Sequence, residues 1–175
     1  MTRAYLGLGA NLGDRRGELE RALSLLICHP EIQLVRISSL YETEPVEVAG
    51  EWFFNSVVEV ETSFSPRAVL EILLQVEEAC GRPRLRRRGA ARRMDIDLLL
   101  FGSQVIRTPD LEVPHPRMHL RRFVLVPLAE LDPGLLHPGL GASIGDLLSQ
   151  LPLVPGVRVV ARDWFPARVG ERCLS

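Results

Sequence analysis

Two aspartates separated by one residue open an apolar run late in the chain. The segment Asp95-Ile96-Asp97 and the four apolar residues after it predict a strand over residues 95–101. Because side chains alternate along a strand, both carboxylates point to one face, roughly 6–7 Å apart at Cα. A divalent cation between them would relieve their repulsion. The simpler interpretation of an isolated pair is the solvated face of an exposed strand.

A cluster of arginines precedes this pair. A third of the basic residues fall in this one loop, namely Arg82, Arg84, Arg86, Arg87, Arg88, Arg92 and Arg93. Guanidinium groups fork onto phosphate oxygens, and carboxylates that hold Mg²⁺ beside such groups are typical of phosphoryl transfer. A solvated charge run and a nucleic-acid patch are the alternatives.

An amide and several aromatic residues add candidates for ligand recognition. Asn55 begins a predicted strand, and alternation puts it on the same face as the carboxylates. Its amide both donates and accepts, which suits the edge of a heterocycle, although Asn at a strand start also satisfies its own backbone. Trp52, Phe53 and Phe54 just before it either wall a flat ligand or pack in the core.

A histidine and three glycines complete the candidate set. His115 stands between two prolines and is followed by Arg117, Arg121 and Arg122, so it is either a phosphate contact or structural. The glycines are interpreted as a tight turn between the first strand and first helix, since their spacing matches no phosphate-loop motif: Gly7, Gly9 and Gly13.

Composition narrows the class of protein. The chain has 175 residues, 46% hydrophobic and 25% charged, which fits one globular domain over residues 1–175. The formal charge of −1 argues against a DNA-coating protein. All 21 basic residues are arginine, which excludes lysine chemistry, and the three cysteines show no CxxC spacing. The start lacks a signal peptide and no run is long enough to span a bilayer, so we expect a cytoplasmic protein without membrane contact.

The periodicity predicts an α+β fold with the order β-α-β-β-α-β. Four strands are expected at residues 4–8, 34–41, 54–62 and 95–101, with helices at 14–29 and 65–80. This is the ferredoxin-like arrangement, a sheet with helices on one face. A C-terminal extension adds short helices at 123–131 and 144–151 and a candidate strand from Val157.

Chain direction in this topology brings three connections to one end of the sheet. These are residues 9–15, 42–53 and 82–93, and the starts of the third and fourth strands lie there too. We therefore expect the functional site at that end.

These segments together resemble the 6-hydroxymethyl-7,8-dihydropterin pyrophosphokinases of folate biosynthesis. The most specific motif stands complete as Arg88-Gly-Ala-Ala-Arg92-Arg-Met-Asp95-Ile-Asp97-Leu-Leu. Five further segments occur in family order: GLGANLGDR, SSLYETEPV, FFNSVVEVET, EEACGR and VPHPRMHLRRFVLVPLAEL. The resemblance covers about residues 4–140, and the tail from about residue 155 matches no pattern.

The resemblance implies transfer of the β,γ-diphosphate of ATP to the pterin hydroxymethyl group, with release of AMP. It implies two Mg²⁺ ions on Asp95 and Asp97, and it assigns the mobile catalytic arginines to Arg82 and Arg92. The pterin side is matched by Thr43, Val46, Phe53, Asn55 and Phe123. The ATP side is matched by Glu77, Arg84, Arg88, Leu98, His115 and Arg121.

The chain departs from the family pattern at two positions. Many members carry an aromatic lid residue where this chain has Gly89, and an amide-bearing residue where it has Leu74. Neither position belongs to the metal or pterin core. With a formal charge of −1, we expect no nucleic-acid partner. The resemblance allows association with other folate-pathway enzymes.

A ferredoxin-like RNA-binding module is the alternative from another class. Such modules stack bases on exposed sheet aromatics. Here the predicted face carries Asn55, Glu59, Glu61, Asp95 and Asp97 instead, whose carboxylates repel phosphates. A non-catalytic relative is a third hypothesis, against which the intact carboxylate pair argues.

Overall fold

The computed structural model of the chain describes residues 1–45, 51–81 and 94–166. Within them, the strands are β1 Thr2–Ala10, β2 Ile32–Ile37, β3 Leu40–Thr43, β4 Phe53–Thr62, β5 Asp95–Phe101, β6 Ile106–Arg107, β7 Glu112–Val113 and β8 Val157–Ala161. The helices are α1 Arg15–Ile27, α2 Pro66–Ala79, α3 Arg122–Leu131 and α4 Ile144–Ser149, with a single 3₁₀ turn at Met118–Leu120. The α+β class predicted from periodicity is confirmed.

Six strands form one antiparallel sheet. Its order is β5-β1-β4-β3-β8, β2 also pairs with β4, and β6 and β7 form a separate hairpin. The strand predicted from Val157 is present as β8, and it pairs with β3. The strand predicted over residues 95–101, which begins with the two aspartates, has the same bounds as β5.

Local signals place the first two helices. Asp14 caps α1 by accepting the N–H of Gly17, and Ser65 caps α2 by accepting that of Ala68, with Pro66 in the first turn. Both helices pack on one sheet face through apolar positions of helical spacing, including Leu23 and Leu73.

The opposite face of the sheet is partly covered by the C-terminal helices. A second core on that side joins Tyr5 and Val57 to α3 and α4, through Leu125 and Leu128 among others. The predicted extension helices therefore cover part of the sheet face opposite α1 and α2. Glu59, predicted on this face, is fully buried.

The single strand predicted over residues 34–41 is two strands, and the break has a polar cause. Between β2 and β3, Ser38 remains paired with Val57, whereas the N–H of Ser39 turns to the Glu130 carboxylate of α3. The Glu130 carboxylate also accepts from Tyr41 Oη. The interruption thus ties α3 to the sheet.

Alternation along β5 fails at one point. The pairing of β5 with β1 shifts between Tyr5 and Leu6, so Leu99 and Leu100 both belong to the second core, while Leu98 belongs to the first. Strict alternation from Ile96 and Leu98 predicts Leu100 on the side of α1 and α2, and that prediction is wrong because of this shift. The bulge lies beyond Asp95 and Asp97, whose common face is unaffected.

Candidate active site at one end of the sheet

One cross-strand row carries the predicted carboxylate and amide. Asp95 of β5 pairs with Gly9 of β1, and Gly9 pairs in turn with Asn55 of β4. The next residues on that face are Asp97 and its partner Gly7. Two carboxylates and an amide therefore share a face, separated by residues without side chains.

Gly9, in the middle of this row, has little room for a side chain beside Asn55. A Cβ on Gly9 would lie 3.0 Å from the Oδ1 atom of Asn55. Gly7 and Gly9 are strand residues, so their prediction as part of a turn is wrong. Of the three glycines, only Gly13 has the left-handed conformation of a turn, with φ of 64°. The sequence pattern missed this because it does not show which glycine faces which strand.

The amide of Asn55 has a defined orientation. Its Nδ2 donates to Thr43 Oγ1 at 2.6 Å, and both residues are buried. The carbonyl oxygen is thereby directed toward Gly9. Asn55 and Thr43, which the resemblance assigns to one pocket, are thus brought into direct contact, and the backbone of Thr43 pairs with Phe53. The amide oxygen is oriented as an acceptor for a ligand donor.

Two further predicted residues surround Asp97. Its Oδ2 atom lies 3.9 Å from His115 Nε2 and 3.9 Å from an Arg121 guanidinium nitrogen. The N–H of His115 donates to the carbonyl oxygen of Leu99, which holds this loop against β5. Arg121 in turn lies over the ring of Phe123, 5.4 Å from its centroid.

His115 is a neutral imidazole with a defined tautomer. Burial, reinforced by Arg121 and Arg117, lowers the pKa of His115 to about 4. Its Nδ1 accepts the backbone N–H of Arg117 at 3.1 Å, so the proton is on Nε2. His115 therefore presents a neutral N–H donor on the side of Asp97, and this approach is a dipolar contact and not an ion pair.

Glu77 acts on the carboxylate pair from behind. It is 3% exposed on α2, and its Oε1 accepts the N–H of Ile96 at 2.8 Å. Because β5 is the edge strand, this N–H points away from β1 and needs another acceptor. The geometry supports a positioning role for Glu77 more directly than the ATP contact that the resemblance assigns.

Leu98, which the resemblance also assigns to the ATP side, is a buried residue like Glu77. Its side chain is 5% exposed and packs in the core with α1 and α2. Contact between Leu98 and a ligand would therefore have to use its main chain.

The remaining predicted site residues lie outside the described part of the chain. They are Val46, Arg82, Arg84, Arg88 and Arg92, and the same holds for Gly89.

The donor set fits magnesium. Within residues 1–45, 51–81 and 94–166, no group of three or more His, Cys, Asp or Glu gathers as a metal cluster. The pair Asp95 and Asp97 supplies hard oxygen ligands only. Mg²⁺ is commonly held by one or two carboxylates, with waters and substrate phosphates completing the octahedron. A self-contained zinc site would require more protein ligands.

Every helix within residues 1–45, 51–81 and 94–166 is too short or too polar to span a bilayer.

Comparison with known proteins places this site in a family. Residues 5–133 match the model of the 7,8-dihydro-6-hydroxymethylpterin-pyrophosphokinase (HPPK) family. A Bacillus subtilis relative named 2-amino-4-hydroxy-6-hydroxymethyldihydropteridine pyrophosphokinase is 46% identical over 129 residues, which are 73% of this chain and 77% of that protein. A Pseudomonas aeruginosa relative of the same name is 40% identical over 151 residues, or 86% and 92% of the two chains.

A solved structure agrees in fold. The wild-type HPPK-DHPS of Plasmodium falciparum superposes with a TM-score of 0.69 at 17% identity, and the match covers 85% of this chain. This chain spans 44% of the length of that one. From the family match over residues 5–133 and the relatives at 40–46% identity, the chain belongs to the HPPK family.

Proposed function

We propose that this chain transfers diphosphate from ATP to 6-hydroxymethyl-7,8-dihydropterin, giving AMP and the pterin diphosphate, a step of folate biosynthesis. The observation that carries the proposal is the row formed by Asp95, Gly9 and Asn55. It sets an anionic metal-binding group and a heterocycle-reading amide on one face, with an open position between them. The substrate hydroxyl and the phosphate chain meet in that position.

The carboxylates form the phosphate side. Asp95 and Asp97 would hold Mg²⁺, two ions in the proposal, with ATP as co-substrate. Held there, Mg²⁺ would supply positive charge against the phosphate oxygens. Glu77 keeps the backbone between the two aspartates in place by accepting the N–H of Ile96.

His115 and Arg121 complete the phosphate side. Arg121 contributes a permanent positive charge, whereas His115 contributes the Nε2–H of a neutral imidazole. A neutral donor binds a phosphate oxygen without having to lose or gain a proton near pH 7. We propose that both contact the ATP phosphates, as does the main chain at Leu98 on the nucleotide side.

The pterin side is formed from β3, β4 and the start of α3. Asn55 reads the edge of the ring with Oδ1 while Thr43 fixes the amide. Phe53 and Phe123, both partly exposed, are the proposed rings on the two faces of the pterin. Val46 is retained as a pterin contact from the resemblance alone.

The arginine loop stays a proposal that rests on the resemblance. Arg82 and Arg92 are proposed to act in the chemical step, and Arg84 and Arg88 to bind ATP. We further propose that residues 1–175 form one domain, that the protein works in the cytoplasm, and that it associates with other folate-pathway enzymes. The joint name HPPK-DHPS of the P. falciparum structure supports that association.

The identity of the nucleotide product tests the proposed reaction. With ATP and Mg²⁺, the protein should form AMP only when 6-hydroxymethyl-7,8-dihydropterin is present. Asp97→Asn should lower this rate by about a thousandfold or more, because a metal-bound charge at the phosphoryl centre is lost. Asp163→Asn, at an exposed aspartate of the C-terminal segment, is the control. Formation of ADP, or AMP formation independent of the pterin, would refute the proposed reaction.

A further inference from the structure

The C-terminal strand lies beside the proposed pterin side, beyond the residues 5–133 that match the family model. The family match ends at residue 133, whereas β8 begins at Val157. β8 pairs with β3 so that Val157 is opposite Thr43 and Arg158 is opposite Glu42. A segment beyond the residues 5–133 matched by the family model therefore forms the sheet edge next to Thr43.

Arg158 makes two contacts across this edge. Its Nε donates to Glu42 Oε2 at 3.0 Å, and its guanidinium carbon lies 5.1 Å from the centroid of the Trp52 ring. The other carboxylate oxygen of Glu42 accepts from Arg15 at 3.1 Å, and Arg15 also donates to the carbonyl of Trp52. Hydrogen bonding, from Arg158 first and Arg15 second, lowers the pKa of Glu42. Glu42 is therefore an ionised bridge between two arginines.

This bridge lies behind the proposed pterin side. In the pairing of β3 with β4, Glu42 is opposite Phe54, whereas Thr43 is opposite Phe53. Alternation puts the two pairs on opposite faces. Phe54 packs against the first core, and the Arg15 guanidinium stacks on it at 3.9 Å. The arginines thus hold the two strands from the rear while Thr43 and Phe53 face the site.

The residue before β8 adds a second attachment. The N–H of Glu44 donates to the carbonyl of Gly156 at 3.1 Å, and the N–H of Gly156 donates to Glu44 Oε2 at 3.0 Å. A Cβ on Gly156 would lie 3.4 Å from this carboxylate. The C-terminal segment therefore holds Glu44 at the end of β3 and Trp52 at the start of β4, the two sides of one connection.

We infer that Arg158 is a positioning residue for the pterin: it fixes Glu42 and Trp52, and through them the strands that present Thr43, Phe53 and Asn55. The inference rests on the proposed function. Its physical reason is preorganisation, since strands already held in the binding geometry lose less freedom when the ligand arrives. The carboxylate pair lies on β5, at the opposite edge of the sheet. The effect should therefore fall on the pterin and not on ATP.

Calorimetric titration and steady-state kinetics on the full chain test this. Arg158→Met keeps the apolar stem and removes the charged donors. It should weaken pterin binding by about threefold to tenfold, raise the pterin KM equally and leave kcat within about twofold. Affinity for an α,β-methylene ATP analogue with Mg²⁺ should stay at the wild-type value. Arg158→Lys, which keeps the charge and one donor to Glu42, should recover part of the pterin affinity.

Arg162→Met is the matched control, since Arg162 is an exposed arginine of the same segment. It should bind both ligands as the wild type does.

Equal weakening of pterin and nucleotide binding by Arg158→Met, or a wild-type pterin affinity of that variant, would overturn the inference. If Arg158→Met does not fold, the same titrations are made on Glu42→Gln, which removes the charge that Arg158 contacts. It should weaken pterin binding and leave nucleotide binding unchanged. A wild type that forms no AMP with pterin would overturn the proposed function, whereas an active wild type with an unaffected Arg158→Met overturns the positioning role alone.

Discussion

The carboxylate of Glu77 accepts the backbone N–H of Ile96 at 2.8 Å, and Ile96 stands between the two aspartates of β5. A buried side chain of α2 thereby sets the main chain that carries Asp95 and Asp97. Edge strands elsewhere satisfy such groups with water or another strand. Here the acceptor is 3% exposed, so its loss leaves an unpaired buried N–H.

We expect Glu77→Leu to lower kcat by about tenfold to a hundredfold, because small displacements of catalytic groups are costly. It should also lower the free energy of unfolding by about 1–3 kcal/mol. Glu77→Gln keeps a carbonyl acceptor for Ile96 and should retain most of the stability. Urea denaturation and turnover measurements on both variants check this. A Glu77→Leu variant with wild-type kcat would show that Glu77 does not position the aspartates.

Gly9→Ala should weaken pterin binding by about tenfold, since the new Cβ would stand 3.0 Å from Asn55 Oδ1. ATP affinity should hold. The measurement is a double-mutant cycle with Asn55→Ala, in which the added methyl no longer meets an amide. Asn55→Ala alone should cost about 1–3 kcal/mol of pterin binding. Strict additivity of the two changes would contradict the contact between them.

His137 predicts a pH dependence of stability. Burial first, then the charge of His119, lowers the pKa of His137 from its usual 6.5. Both ring nitrogens are buried without a hydrogen-bond partner among the described residues. Because the pKa of His137 is lower in the folded chain, the unfolded chain binds more protons at this site as the pH falls through 6.5, so stability falls as the pH drops.

Replacement by an uncharged ring should remove this contribution. Urea unfolding from pH 7.5 to pH 5.5 should show a shallower loss of stability for His137→Phe than for the wild type, by at most about 1.4 kcal/mol per pH unit. His29→Gln, which removes one imidazole elsewhere in the chain, is measured in parallel as the control. Parallel curves for His137→Phe and the wild type would mean that His137 takes up its proton at the same pH in the folded and the unfolded chain.

The arginines of residues 82–93 should fall into two groups according to the kinetic step that their replacement affects. Arg82→Ala and Arg92→Ala, at the positions matched by resemblance, should lower the chemical step more than nucleotide affinity. Arg86→Ala and Arg87→Ala should weaken ATP binding in a salt-dependent way with little change in the chemical step. Single-turnover kinetics at two salt concentrations distinguish the groups. Equal effects at all four positions would indicate a general basic patch.

Local sequence chemistry determined the elements and the faces of the site. Caps at Asp14 and Ser65 define where the first two helices begin, because both side chains bond to N–H groups only three residues away. Alternation put Asp95 and Asp97 on one face, and Asn55 with them, because the strand period of two depends only on the backbone. The family motif spans contiguous residues, so its recognition needed no tertiary information.

Long-range contacts decided what local chemistry could not. The break between β2 and β3 depends on Glu130, more than ninety residues away in sequence. The bulge that turns Leu100 to the second core comes from the register with β1, and the role of Gly9 comes from its neighbours on β4 and β5. The edge formed by Arg158 needs a strand from the end of the chain laid beside β3. Each depends on which strands become neighbours, and that is settled by burying two cores at once, a property of the whole chain.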